Sequence, residues 1–160
     1  MTPPRVLSLG AGVQSTTLAL MAAHDEIPRP DVAIFADTGA EPTAVYDNLR
    51  WLMSVNVLPF PVEIVAAGNM LDDMMTAISG ETFSRGRCAT APFFAAGKDG
   101  RGAPLRRQCT SAYKIEPITQ RVRELLELKP RQRAPKTPAA TILLGISTDE
   151  VYRVKPAAEP

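Results

Sequence analysis

Arg5-Val6-Leu7-Ser8-Leu9-Gly10-Ala11-Gly12-Val13-Gln14-Ser15-Thr16-Thr17 is the stretch whose reading settles the fold. Its first five residues are a short, mostly apolar run, as expected of a strand buried on both faces in a parallel sheet. Gly10 and Gly12 then mark a tight turn. Gln14 to Ala23 reads as a helix, with Leu18, Leu20 and Met21 supplying its apolar side. A strand, a glycine turn and a helix start, in that order, are half of a βαβ unit.

The alternation continues outward from there. Asp31 to Ala36 reads as a second strand, closed by Asp37-Thr38-Gly39. Glu41 to Ser54 reads as a helix with Pro42 in its first turn, where a missing N–H costs nothing. Val45, Leu49, Leu52 and Met53 fall on one face of that helix. Val62 to Val65 is a third strand, followed by a short helix from Asn69 to Ile78. Ser111 to Leu128 is a helix with apolar positions at Ile115, Ile118, Val122, Leu125 and Leu126, and Thr141 to Gly145 is a final buried strand.

Residues 79–108, by contrast, hold Gly80, Gly86, Gly97, Gly100, Gly102, Pro92 and Pro104 without a regular period. A loop of that length within a compact domain is usually functional or disordered. The expectation is a single domain over residues 1–160: an α/β fold, three-layer α/β/α and Rossmann-like, with a mainly parallel sheet of four to five strands. The first strand is placed centrally, the second and third to one side and the 141–145 strand to the other. The 79–108 loop is expected to overhang the carboxyl edge as a lid, with Arg85, Arg87 and Arg101 available for anions, and residues 154–160 to form a weakly structured tail.

The bulk numbers narrow the function classes. Hydrophobic residues at 45% and charged residues at 22% match an ordinary globular protein. A net charge of +1 gives no sign of a nucleic-acid wrap or a membrane-surface protein. The basic 129–136 connector reads as a solvated surface, leaving nucleic acid an unsupported partner. No apolar run approaches the roughly 18 residues of a membrane span, and no signal-peptide layout precedes the first strand, so the expected compartment is the cytoplasm. Cys88 and Cys109 lack CxxC spacing, and two thiolates fall short of an iron–sulfur cluster within this chain alone. The lone His24 reads as a solvated residue at a helix end.

In open parallel sheets ligands bind beyond the carboxyl ends of the strands. The polar clusters Gly10 to Thr16, Asp37-Thr38-Gly39 and Ser147 to Glu150 all fall at such ends. The first has the physics of a phosphate cradle: Gly10 and Gly12 let backbone N–H groups approach an anion, and Ser15, Thr16 and Thr17 add hydroxyls at a helix N-terminus. It is not a Walker A loop, since no Gly-Lys-Ser/Thr follows, and Ser15 stands where a dinucleotide fingerprint has its third glycine. Cys109, flanked by Arg106 and Arg107, reads either as a low-pKa thiolate or as a small buried hydrophobe.

These stretches carry a resemblance. Gly10-Ala11-Gly12-Val13-Gln14-Ser15-Thr16 resembles the S-G-G-x-D-S-T PP-loop of the adenine nucleotide α-hydrolase superfamily, a HUP-type fold. Ala36-Asp37-Thr38-Gly39-Ala40-Glu41 is similar to the D-T-G-x-E segment of its phosphoadenosine phosphosulfate (PAPS) reductase-like branch. Arg107 to Pro117 looks like that branch's R-x-C-T-x-x-x-K-x-x-P, and Gly145 to Glu150 with Arg153 like its G-x-x-x-D-E-x-x-R. The four occur in family order across nearly the whole chain, and the resemblance suggests a phage-type or truncated member.

The resemblance implies ATP, or PAPS, as ligand and an acceptor of unknown identity, with cleavage between the α- and β-phosphates. It would put Gly10, Gly12, Gln14, Ser15 and Thr16 on the phosphates, and Asp37, Thr38, Gly39 and Gly145 near the nucleotide. Arg107, Lys114 and Arg153, with Cys109, become candidate catalytic residues, the cations neutralising phosphate or sulfate charge. Mg²⁺ held by phosphates, with Asp149 or Glu150 assisting, goes with ATP. There are departures. Ala11 and Gln14 replace Gly and Asp of the PP-loop, Ser147 stands where reductases often have Arg, and no cysteine follows Cys109 to serve as the reductases' C-terminal nucleophile. A reductase relative lacking that cysteine, and an inactive nucleotide-binding module, are the alternatives. Oligomeric state stays open.

Overall fold

A computed structural model describes residues 3–79, 94–96, 102–104 and 110–153. In chain order the elements are β1 (Arg5–Ser8), α1 (Val13–Ala23), β2 (Val32–Asp37), α2 (Thr43–Leu52), β3 (Val62–Ala66), α3 (Met70–Ser79), β4 (Phe94–Ala96), β5 (Gly102–Pro104), a π-helical turn (Thr110–Ile115), α4 (Glu116–Leu125), β6 (Thr141–Leu143) and a 3₁₀ segment (Thr148–Arg153). Four strands form one parallel sheet in the order β3-β2-β1-β6, with Val6 of β1 opposite Val32 on one side and Ile142 on the other. This is the expected arrangement, β1 central and the last strand on its far side. The described residues divide into two compact units, those within 1–35, 42–65 and 118–160 and those within 36–41 and 66–117.

In the first unit the sheet is covered on both faces. Successive strand residues point to opposite sides, so Leu7, Leu9, Ala33 and Phe35 pack with Ala19 and Ala22 of α1 and Leu49 and Leu52 of α2. Val6, Val32 and Ile34 pack on the other face with Ile118, Val122 and Leu125 of α4. Helix, sheet, helix is the three-layer α/β/α Rossmann-like architecture. Contrary to the sequence expectation, the buried side of α1 is Ser15, Ala19 and Ala22, with Leu18 at its flank and Leu20 and Met21 half-exposed. Small side chains on the contact face let the helix lie close to the sheet.

Other boundaries shift for identifiable reasons. Met53 caps α2 instead of joining its buried face. α4 stops at Leu125 because Glu127 adopts φ 54°, and the Leu128 N–H bonds back to the Arg123 carbonyl at 2.9 Å, a Schellman-type ending. β6 is an edge strand and is not buried: Thr141 and Ile142 are exposed, and Leu144 lies beyond its end. No helix among the described residues is long and apolar enough to cross a membrane.

In the second unit α3 begins at Asn69, whose side-chain oxygen accepts the N–H groups of Leu71 at 2.9 Å and Asp72 at 3.3 Å. The 79–108 stretch, expected to be irregular, begins with the last residue of α3 and contains the antiparallel pair β4–β5, with Ala95 opposite Ala103; its other positions, Arg85, Arg87, Arg101 and Cys88 among them, lie outside the described residues, as do residues 154–160. The helix expected from Ser111 opens as a π turn. Pro117 explains the widening: in an α-helix its ring would meet the carbonyl of Tyr113 and its N–H would be missing from the ladder. Ile115 is consequently exposed.

One ion pair ties β3 to α4 within the first unit. Arg121 donates from Nε to Glu63 at 2.7 Å and from Nη2 at 3.0 Å, a bidentate contact, and from Nη1 to Glu124 at 3.1 Å. The Arg121 hydrogen bonds hold the Glu63 carboxyl below its ordinary 4.5. A carboxylate with a lowered pKa in the fold stabilises it at pH values above the unfolded pKa, and that contribution is lost as pH falls through the folded one. Glu63→Gln is therefore expected to lower the thermal midpoint at pH 7, with the gap to wild type closing in acid below about pH 4.5. Melting curves across pH 3–7 check this; a gap independent of pH contradicts it.

Candidate functional site

Among the described residues no side chain claims the first N–H groups of α1. Gly12 occupies the cap position of α1 with extended backbone (φ −89°, ψ 179°), and no side chain caps the helix. No acidic residue sits in the first turn. The first N–H groups of a helix have no intrahelical acceptor, and the aligned peptide dipoles add roughly half a positive charge there. Among the described residues nothing lies within 4 Å of a Cβ built on Gly12. An anion therefore has donors, field and room at this point.

Behind the turn, every described polar contact braces it. Ala11 is buried and holds φ 49°, a left-handed conformation that costs a non-glycine residue about 1 kcal/mol. Asn48 of α2 spans the turn with its carboxamide, donating to the Ala11 carbonyl and to Thr16 Oγ1, both at 2.8 Å. Ser15 is buried, and its hydroxyl accepts the Gly10 N–H at 3.1 Å while donating to the Gly12 carbonyl at 3.4 Å. The Ser15 hydroxyl thus meets partners within the turn, while Thr16 Oγ1 accepts from Asn48 of α2. Thr17 donates to the Val13 carbonyl at 2.9 Å.

The segment after β6 closes against the same turn. A Cβ on Gly145 would lie 2.8 Å from the Gln14 carbonyl carbon and from Ser15 N, so only glycine fits. Gly145 acts on the candidate site by letting two backbones approach. Gln14 donates from Nε2 to Ser147 Oγ at 3.0 Å and to Glu150 Oε2 at 2.8 Å. Glu150, a candidate metal ligand, is therefore already engaged; Asp149 is exposed. Among the described residues there is no group of three His, Cys, Asp or Glu arranged to hold a metal ion. Two carboxylates do suit Mg²⁺ that is bound chiefly by phosphate oxygens.

The second unit gathers the other candidates. Asp37 accepts the Gly39 N–H at 2.8 Å, and Gly39 has φ 69°, with a built Cβ 2.7 Å from the Asn69 side chain. Buried Thr38 donates to Glu41 Oε1 at 3.1 Å and accepts the Ala40 N–H at 3.2 Å. Lys114 Nζ lies 2.7 Å from the same Glu41 oxygen, so its charge is balanced within the protein. The hydroxyl of buried Tyr113, beside Lys114 in the π turn, donates to Asp73. Arg107 and Cys109 lie outside the described residues, and Arg153 ends the 3₁₀ segment.

Sequence reading missed Asn48, the partnership of Glu41 with Lys114, and the Tyr113–Asp73 bond. For Asn48 a signal existed: it is a polar residue on the arc of α2 that carries Val45, Leu49 and Leu52.

Gly145→Ala is expected to destabilise the fold by about 1–3 kcal/mol, the usual cost of overpacking, because the obstructing atoms are backbone. Urea denaturation measures it, and a change below about 0.5 kcal/mol contradicts the close-approach account. Compared with protein-family profiles, curated proteins and solved structures, the chain finds no match.

Proposed function

We propose that this chain binds an adenine nucleotide with its phosphates on the Gly10–Thr16 turn, and that it is an ATP-pyrophosphatase-like enzyme. In the reaction an acceptor nucleophile attacks the α-phosphorus, the bond from that phosphorus to the bridging oxygen breaks, and pyrophosphate leaves as the acceptor is adenylated. The observation behind this reading is the uncapped, acid-free start of α1 with open space before Gly12. Gly10-Ala11-Gly12 and its neighbours add the PP-loop resemblance. Asp149 or Glu150 would help hold a phosphate-bound Mg²⁺, which would supply charge neutralisation for the leaving pyrophosphate. The proposed setting is the cytoplasm.

A second reading has its own support. Gln14 stands where the PP-loop has an acid, and its amide N–H groups are taken by Ser147 and Glu150. A loop neutralised in this way suits a module that binds nucleotide without turning it over.

Gly12→Ala separates ligand binding from folding. The extended backbone at Gly12 accepts alanine and nothing crowds the added methyl, so stability is expected to hold within about 0.5 kcal/mol. The methyl would occupy the space assigned to phosphate, and calorimetric titration with Mg-ATP is expected to show at least a tenfold loss of affinity, about 1.4 kcal/mol. Pyrophosphate release with wild type supports the enzyme; binding without release supports the module. Equal ATP affinity in both proteins, or tighter binding of PAPS with sulfite release on adding a thiol, contradicts the ATP-pyrophosphatase proposal.

A further inference from the structure

A second anion-receptive feature lies in the first unit, away from the glycine turn in sequence. Arg123, Arg131, Arg133 and Lys136 line an open cleft of about 960 Å³ together with Gln132 and Pro135. Arg131, Arg133 and Lys136 are exposed, and none forms an ion pair with a described residue. From Leu128 to Thr148 the chain has no acidic residue. The whole chain carries only +1, while Lys129, Arg131, Arg133 and Lys136 supply four positive charges, so the remainder is net negative. This segment is one of two basic stretches, the other being residues 82–115, and within it no acid offsets the cations.

The segment is also fixed in place, unlike a merely solvated run. Arg123 Nη2 donates to the Gln132 carbonyl at 2.5 Å and to the Lys129 carbonyl at 3.4 Å. The Lys129 N–H bonds to Gln132 Oε1, and the Gln132 N–H to the Lys129 carbonyl, each at 3.0 Å. Arg131 is held at φ 62°, a left-handed conformation unusual for arginine. Prolines at 130, 135 and 138 further restrict the backbone. A restrained backbone has less freedom to lose on meeting an anion, and the planar forks of Arg131 and Arg133 match phosphate oxygens.

We infer that this cleft binds the phosphodiester backbone of a nucleic-acid duplex, without sequence preference. Among the described residues the lining has no aromatic or large aliphatic side chain. A protein partner seated by apolar contacts would need such an anchor, a membrane surface an apolar face to insert, and a single strand an aromatic platform for its bases. What remains is recognition by charge alone, which duplex phosphates satisfy.

The test is fluorescence anisotropy of a labelled DNA duplex titrated with the full chain between 50 and 200 mM salt. With about three phosphate contacts, log K is expected to fall against log salt with a slope near −3. The triple substitution Arg131→Ala, Arg133→Ala, Lys136→Ala is expected to weaken binding at least tenfold at 50 mM salt and flatten the slope toward zero. The charge-preserving Arg131→Lys, Arg133→Lys variant is expected to keep most of the slope. These positions are exposed, and an unchanged melting curve for the triple variant confirms that the fold is intact. Equal binding and slope in wild type and the triple variant overturn the inference, as does tighter binding of the single strand, or competition by polyglutamate equal to that of unlabelled duplex.

Discussion

Two hydrogen bonds from one carboxamide, Asn48 to the Ala11 carbonyl and to Thr16 Oγ1, fix the turn on which the candidate site rests. The turn holds Ala11 at φ 49°, and a strained residue persists only where its surroundings over-determine it. Here they do. Asn48 holds the carbonyl, the Ser15 hydroxyl ties Gly10 to Gly12 across the loop, and the buried methyl of Ala11 joins the core formed by β1, α1 and α2. Ala11 and Ser15 are buried in this bracing, so an anion at the start of α1 would meet backbone donors beside the exposed Val13. Backbone donors need no reorganisation when a phosphate arrives, which is the physical merit of a helix start as an anion site.

Charge near the turn is balanced in an unusual way. With an acid at position 14, a carboxylate would stand beside Glu150, at the place where the Gln14 amide now donates at 2.8 Å. Two such groups repel and raise one another's pKa unless a cation lies between them. The neutral amide removes that repulsion and binds the β6 exit segment to α1, and Gly145 permits the backbone contact at the same place. In the second unit Glu41 likewise compensates Lys114. Both arrangements lower the charge available to a ligand, and they are where the chain differs most from what its motifs suggested.

Much of the architecture was legible in the sequence because strand runs such as Val32 to Ala36 are short, apolar and bounded by turn residues. The parallel sheet followed from the alternation of strands and helices. The contact face of α1 was not legible, since large apolar residues draw attention while Ser15, Ala19 and Ala22 do the packing. The end of β6 was misread for a related reason: Ile142 and Leu144 are apolar, yet an edge strand has only one neighbour to cover it. Pro117 could have signalled the π turn. At the site, the glycine turn was readable as local chemistry, but the contacts of Gln14 with residues 147 and 150 join positions far apart in sequence and need the fold to appear.

The most direct test of the central claim is an amide-resolved NMR titration of the ¹⁵N-labelled chain with Mg-ATP. If the phosphates sit on backbone donors at the start of α1, the N–H resonances of Gly12 to Ser15 shift first and furthest, saturating together. Saturable ATP binding that leaves those resonances unmoved would contradict the account and reduce the glycine turn to a connection between β1 and α1.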